Sequence, residues 1–342
     1  MQSQSKMYQE IQEIPDAVSN LLEVTDFAVD QLGNIIKDQP PNFVITAARG
    51  SSDHAAKFLK YLFEIYLGIP VVSLGPSICS IYDSKISLKN TICIAISQSG
   101  QSPDILSVIN SAQNKECITA SFTNNSNSPL AEKTKFSVPL QAGSEKSVAA
   151  TKTFINSLVV SLVLAAKVKK DVELLSAIHR LPELLEKAIR IEWPELKNEL
   201  ENCNKLYTLG RGLSYSISNE ASLKLIETCG IHASSYSSAE VLHGPVEIVD
   251  EYHPVLAFIS RDAAEQSIVN VCENLAERKA KVFGTSSYLN QSKSLEFVNT
   301  GHPFTDPIAL IASFYPFVEN LSLSRGKNPD QPSLLKKVTK TI

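Results

Sequence analysis
The chain repeats itself at a spacing of 162 residues: Arg49-Gly50 recurs as Arg211-Gly212, and Gly68-Ile69 as Gly230-Ile231. Each pair brackets a stretch with apolar residues at helical spacing, Ser52–Tyr66 and Ser214–Cys229, and a short β-rich run precedes each, Phe43–Ala48 and Lys205–Leu209. Strand, glycine turn and helix thus recur at the same length, which implies two copies of one α/β domain. A length of 342 residues agrees, being about two domains at the usual size.

The remaining pattern extends both copies. Pro70–Leu74, Thr91–Ile96, Cys117–Phe122 and Phe136–Val138 read as further strands of the first half, and Val255–Ile259 and Lys281–Phe283 of the second. The near-continuous apolar character of Thr91–Ile96 suits a strand covered on both faces. Helical spacing marks Pro103–Ala112, Ala149–Val168, Val172–Ile191, Ala263–Glu277 and Asp306–Leu323. Alternation of this kind predicts α/β domains, each a mostly parallel sheet flanked by helices, over residues 25–190 and 196–342.

Composition removes several functional classes. Hydrophobic residues at 43% and charged residues at 20% are enough for a sizeable core. A formal charge of -4 argues against a broad nucleic-acid surface. The longest apolar run, Ser157–Ala166, ends at Lys167, Lys169 and Lys170 and is far short of the roughly 18 residues of a membrane span. The polar stretch Met1–Glu10 lacks an apolar signal core, so a cytoplasmic location is expected. Six cysteines without a C-x-x-C pair and six histidines without an H-x-x-x-H pair predict no metal site, with the cysteines acting as small core residues.

The segment richest in chemistry is Ser97-Gln98-Ser99-Gly100-Gln101-Ser102, between a buried strand and a helix. Such a turn aims backbone N–H groups outward at the positive end of a helix dipole, and the serines add hydroxyl donors. That composition suits a phosphate group, although by pattern alone it is also a serine-rich surface turn. It has neither the G-K-[ST] of a nucleoside-triphosphate loop nor the three glycines of a dinucleotide loop, so a phosphomonoester is favoured over a nucleotide. The matching point of the second half, Ser260-Arg261-Asp262-Ala263, has no glycine and carries an acid, which predicts one phosphate loop per chain. Glu227, on the helix after the second glycine turn, and His243, beside Gly244-Pro245, are a carboxylate and an imidazole of the kind an aldose–ketose proton shift needs. Taken singly, each is equally a solvated or structural residue. Lys336 and Lys337 are either a nucleophilic amine or a basic tail.

Six ordered segments together resemble the sugar isomerase (SIS) family, and within it the isomerase half of the glutamine–fructose-6-phosphate amidotransferases. They are Gly50-Ser51-Ser52; Ser97–Ser102; Ala142-Gly143-Ser144-Glu145 through Val148 to Thr151-Lys152; Lys224-Leu225-Ile226-Glu227; Glu240 through His243 to Pro245; and Asp330-Gln331-Pro332 followed by Lys336-Lys337. The resemblance runs from about residue 40 onward and implies tandem SIS domains. It gives Ser97, Gln98, Ser99 and Ser102 to the substrate's phosphate, and Ser52 and Val148 to the sugar. Glu227 becomes the base that moves a proton between C1 and C2, with Lys224 near the same centre. His243 becomes the ring-opening group, reaching in from the partner of a homodimer, and Lys337 the amine that forms a Schiff base with the open-chain ketose. No metal, redox or other cofactor is implied, and the one small-molecule partner is a phosphosugar.

Two departures shape the expected reaction. The sequence opens Met1-Gln2-Ser3 and its first cysteine is Cys79, so no N-terminal glutaminase nucleophile is expected. The family's arginine after Asp-Gln-Pro, which helps couple two active sites, is Ser333 here. The expected activity is therefore glucosamine-6-phosphate deamination, giving fructose 6-phosphate and ammonia. The alternatives are a fructoselysine-6-phosphate type deglycase, a galactosamine-6-phosphate deaminase, and a non-catalytic sugar-phosphate sensor.

Overall fold
A computed structural model describes residues 4–24, 26–84, 86–113 and 117–337. The chain forms two compact units, neither of them contiguous in sequence. The first comprises residues 16–145 and 152–179 with Lys337; the second comprises the residues up to Pro15, 146–151 and 180–336.

Each unit is built on a five-stranded parallel sheet. In the first the strands are β1 (Val44–Ala47), β2 (Val71–Ser73), β3 (Ile92–Ile96), β4 (Ile118–Thr123) and β5 (Phe136–Pro139), in the order β2-β1-β3-β4-β5. In the second they are β6 (Lys205–Gly210), β7 (His232–Ser237), β8 (Val255–Ala257), β9 (Val282–Gly284) and β10 (Lys293–Ser294), in the order β10-β9-β8-β6-β7. Counted from its own first strand, the second sheet has the same order as the first. In such a sheet the chain reverses direction of travel between the first and third strands. Loops there diverge and leave a crevice at the strands' carboxyl ends, where ligands of open α/β sheets bind.

The repeat extends to backbone angles. Gly50 (φ 54°, ψ −134°) and Gly212 (φ 60°, ψ −131°) make the same turn after β1 and β6, in a region that side chains with a Cβ rarely enter. The helices Ser51–Leu62 and Leu213–Lys224 follow, and each passes into a single π-helical turn, Phe63–Leu67 and Leu225–Cys229. Left-handed Gly68 and Gly230 close those turns.

In the first unit, Ile45, Ala47, Cys93, Ala95, Ile105, Val108 and Ile109 pack one face of the sheet against its helices. In the second, Leu209, Val255, Ala257, Ile259, Ile268, Cys272 and Val282 do the same. The helix Lys152–Lys169 of the first unit is buried continuously from Lys152 to Ala166, which explains its apolar character on every side. The segment 146–151 is held within the second unit by two carboxylate-bearing residues. Glu10 accepts the N–H groups of Lys146 and Ser147, and the Asp330 carbonyl accepts that of Val148. Asp330 also caps the helix Lys6–Gln12, taking the N–H groups of Lys6 and Met7 at 2.9 and 2.8 Å.

Three observations correct the expected elements. The single helix expected over Val172–Ile191 is two, Val172–His179 and Leu181–Ala188. Pro182 has no N–H and its ring cannot follow a preceding helical turn, so the break falls just before it. β7 was not expected at all; its sequence, His-Ala-Ser-Ser-Tyr-Ser, is polar because it is the edge strand beside β6. Three helices, Lys6–Gln12, Ile14–Val24 and Asp26–Asp38, precede β1 where no element was assigned. No helix among the described residues is long and apolar enough to cross a membrane.

Candidate active site
In the first unit, the loops at the carboxyl ends of β1 and β3 flank the switch point of the sheet. The β1 loop carries Gly50-Ser51-Ser52 and the β3 loop carries Ser97–Ser102, which runs into the helix Pro103–Gln113. Ser97 is almost fully buried, and its Oγ accepts the Gly100 N–H at 3.2 Å. Ser99 Oγ accepts the Gln101 N–H at 3.3 Å. The hydroxyl protons of Ser52, Ser97, Ser99 and Ser102 have no protein acceptor among the described residues. Donors left over at the mouth of a parallel sheet are what an anion requires. Gly100 is obligatory here: at φ 64° an added Cβ would stand 2.1 Å from Ser128 Oγ. The Gln98 carbonyl accepts the Asn124 N–H, and the Gly100 carbonyl accepts the Leu130 N–H, so the loop is braced from β4's far end.

Lys337 belongs to this unit too. Its Nζ lies 3.5 Å from Glu145 Oε2. Glu145 has no exposed side-chain surface and is oriented by Thr153, whose N–H and hydroxyl both donate to it. The neighbouring backbone is tied down as well, with Asn124 bonded to Gly143 and Ala142.

In the second unit, Lys224 is the last residue of the helix Leu213–Lys224 and Glu227 lies in the π turn that follows. Lys224 Nζ is 2.9 Å from Glu220 Oε1 and 2.8 Å from Glu227 Oε2. Glu220 and Lys224 are fully buried, whereas Glu227 keeps 18% of its side-chain surface. Burial alone would push the Lys224 ammonium down, but the two carboxylates outweigh it and hold it well above its usual range. Two acids share one cation, and the member of the cluster that keeps exposed surface is Glu227. Glu227 also borders a cavity of about 520 Å³ rimmed by Thr228, Lys327, Gln331, Ser333 and Leu335. His243 is exposed on the short turn Glu240–His243, followed by Gly244 at φ 138°.

The second unit's counterpart of the serine loop is already filled. Asp306 accepts both the backbone N–H and the Nε–H of Arg261, and it also accepts from Thr300. Arg261 Nη1 donates to the Thr285 carbonyl, and its guanidinium lies 4.2 Å over the Phe297 ring. The protein's own carboxylate thus sits at the strand end where the first unit leaves donors open.

The SIS domain pattern matches residues 40–167 and 199–317, one match on each sheet. The chain belongs to the SIS family. It is 30% identical over 342 residues to a glutamine–fructose-6-phosphate aminotransferase of Methanothermobacter thermautotrophicus, a match covering 97% of this chain and 56% of that protein. The chain therefore spans about half the length of the curated relatives it matches. Among solved structures, a protein of Silicibacter pomeroyi provisionally called a phosphosugar isomerase superposes with a TM-score of 0.92 at 46% identity, covering 96% of this chain and all of that one. The C-terminal domain of glucosamine-fructose-6-phosphate aminotransferase from Francisella tularensis gives 0.86 at 25% identity, over 97% and 99% of the two chains. A Thermotoga maritima glucosamine-6-phosphate deaminase and an Escherichia coli tagatose-6-phosphate ketose/aldose isomerase, at 20% and 17% identity, share the SIS fold.

Several residues around these SIS loops escape sequence reasoning. Glu220 precedes Lys224 by one helical turn, a spacing that could have exposed it. Glu145 and Asp330 are visible in the sequence only as parts of motifs, and the contacts of Glu10 and Asp330 are to backbone far away in sequence. Cys79, Cys93, Cys229 and Cys272 are buried as expected, whereas Cys117 and Cys203 are only partly buried; burial pushes the Cys229 and Cys272 thiols up to about 11 and about 12, too high for ready nucleophiles.

Proposed function
We propose that this SIS protein converts glucosamine 6-phosphate and water to fructose 6-phosphate and ammonia. The observation that carries the proposal is the placement of Glu227. A carboxylate at the edge of a cavity, fixed at 2.8 Å by a buried lysine, is a general base with its geometry preset. In this reading the Ser97–Ser102 loop and Ser52 hold the phosphosugar, with Val148 along the sugar. His243, taken from a second copy in a homodimer, opens the pyranose. Glu227 takes the C2 proton and returns it at C1, which leaves an imine at C2. Water adds to that imine and ammonia leaves, Lys337 serving as the amine that can exchange with it. Each step is proton transfer or imine chemistry. Ser333, on the rim of the Glu227 cavity, favours deamination over amination because the family's coupling arginine is missing from that position. The charged cluster also favours an enzyme over a sensor, since a buried lysine shared by two acids is costly where only binding is needed.

The test is ammonia release from glucosamine 6-phosphate, measured together with fructose 6-phosphate, for wild type and Glu227→Gln. Equal amounts of the two products, lost in the variant, are expected. A folded wild type that releases no ammonia sinks the proposal, and galactosamine 6-phosphate and fructoselysine 6-phosphate are then the substrates to try.

A further inference from the structure
We propose that Arg49 is an additional phosphate-binding residue, a guanidinium placed beside the serine loop; this rests on reading that loop as the phosphate site, though not on which reaction follows. Arg49 stands between the end of β1 and the Gly50 turn, on one side of the first unit's switch point. Its Nε donates to Asp104 Oδ2 at 2.9 Å. Asp104 is fully buried in the first turn of the helix Pro103–Gln113, two positions beyond Ser102. The ion pair therefore ties the β1 loop to the base of the phosphate loop and fixes where the guanidinium lies.

The pair uses only one of the five N–H donors of the arginine. The four on Nη1 and Nη2 have no partner among the described residues, and 51% of the side-chain surface remains exposed. The space next door is open as well: a Cβ added to Gly50 would meet nothing within 4 Å. A fork of unused donors on a fixed stem is the geometry that suits a phosphate oxygen pair. The serines offer neutral hydroxyls only, so Arg49 would supply positive charge to the dianion. Its buried partner Asp104 matters here, because it anchors the arginine through the Nε edge and leaves the outer edge for the ligand.

The second unit provides an internal control. Arg211, the repeat mate of Arg49, is exposed and donates to Ser267 Oγ at 3.3 Å. The arginine of its strand-end loop, Arg261, is engaged through Nε by Asp306 and through Nη1 by the Thr285 carbonyl, and its Nη2 is buried. Only the unit with the open serine loop has an arginine there with both Nη groups unused among the described residues.

The experiment measures binding by titration calorimetry, so it needs no turnover. Fructose 6-phosphate, inorganic phosphate and unphosphorylated fructose are titrated into wild type, Arg49→Gln, Arg211→Gln and the double variant Arg49→Gln/Asp104→Asn. Loss of hydrogen bonds to a charged group predicts a fall in fructose 6-phosphate affinity of about tenfold or more in both Arg49 variants. Inorganic phosphate should weaken alongside it, and Arg211→Gln should bind as wild type does. The double variant covers the case in which Arg49→Gln alone fails to fold, because it removes both charges of the pair. Wild-type affinity for fructose 6-phosphate in either folded Arg49 variant overturns the proposal, as does a wild type that binds no phosphorylated ligand. Arg49-dependent binding without ammonia release from glucosamine 6-phosphate would leave this proposal standing and remove only the deaminase.

Discussion

The two sheets share strand order, glycine turn, helix length and closing π turn, yet only one helix carries charge on its inner side. Glu220, Lys224 and Glu227 of the second copy correspond, at the 162-residue spacing, to Phe58, Leu62 and Ile65 of the first. Phe58 and Leu62 are buried in an ordinary apolar core, and Ile65 is exposed. The π turn is present in both, so it belongs to the fold; what differs is three side chains, Glu220 and Lys224 on the helix and Glu227 in the turn that follows it. The strand-end loops divide the other way. The first copy leaves serine hydroxyls and an arginine fork open after β3 and β1, while the second closes its loop with Asp306. One duplicated scaffold thus leaves hydroxyl and guanidinium donors open among the described residues of one copy and carries a carboxylate–ammonium–carboxylate cluster in the other.

Glu227→Gln should break the comparison most visibly. It keeps the shape of the side chain but removes the base, and a fall in kcat of about 10²–10⁴ is expected with little change in KM. Ile65→Glu, the reciprocal change at an exposed site, should leave the steady-state rate as it is. A Glu227→Gln variant with normal kcat would move the base elsewhere.

Lys224→Leu, which copies Leu62, tests whether the cluster is stabilising or merely tolerated. Removing the shared cation leaves Glu220 buried beside a second acid, and a loss of about 3–5 kcal/mol is expected in urea unfolding. Glu220→Leu/Lys224→Leu should recover most of that loss, because the apolar pair needs no counter-charge. If the double variant is no more stable than the single one, charge imbalance is not the cause.

Gly100→Ala sharpens the contrast between the loops. The added methyl collides with Ser128 at a positive φ, so about 1–3 kcal/mol of strain is expected, together with weaker fructose 6-phosphate binding. Asp262, its counterpart in the second copy, should tolerate alanine without any change in that binding. Equal effects at the two positions would argue against a single phosphate loop per chain.

The parts of this molecule that a sequence reveals are those with a local cause. Buried strands such as Ile92–Ile96 announce themselves because every residue is covered, and the serine loop because it joins strand to helix at a glycine. β7 stays hidden because an edge strand can be polar, and the helix break at Arg180 turns on one proline. Lys224 and Glu227 are three residues apart on a helix, so their contact follows from spacing, and Glu220 would have followed from the same rule. Arg49 was legible only as a marker of the repeat, since its pairing with Asp104 depends on two strands lying side by side. The holds of Glu10 and Asp330 on the segment around Val148 likewise join residues far apart in the chain, which no local pattern encodes.

The smallest expected effect separates the copies by pH. His253 of the second copy is buried against the Tyr207 ring, with centroids 4.2 Å apart, where the first copy has buried Thr91. Burial, assisted by the positive charge of Lys205, lowers the His253 pKa below its usual value. The unfolded chain then takes up the proton before the folded one does. Stability contributed by the neutral ring is full above the ordinary histidine range of about 6.5 and is lost as pH falls through it, until the folded pKa is reached. His253→Phe keeps a ring beside Tyr207 and cannot titrate, so its melting midpoint should fall less than that of wild type between about pH 7.5 and 5.5. Thr91→Val, at the matching position of the first copy, should leave that acid slope unchanged, because no proton binds there in either state. If His253→Phe and wild type lose stability in parallel, the acid sensitivity comes from other groups, and the copies do not differ in this respect.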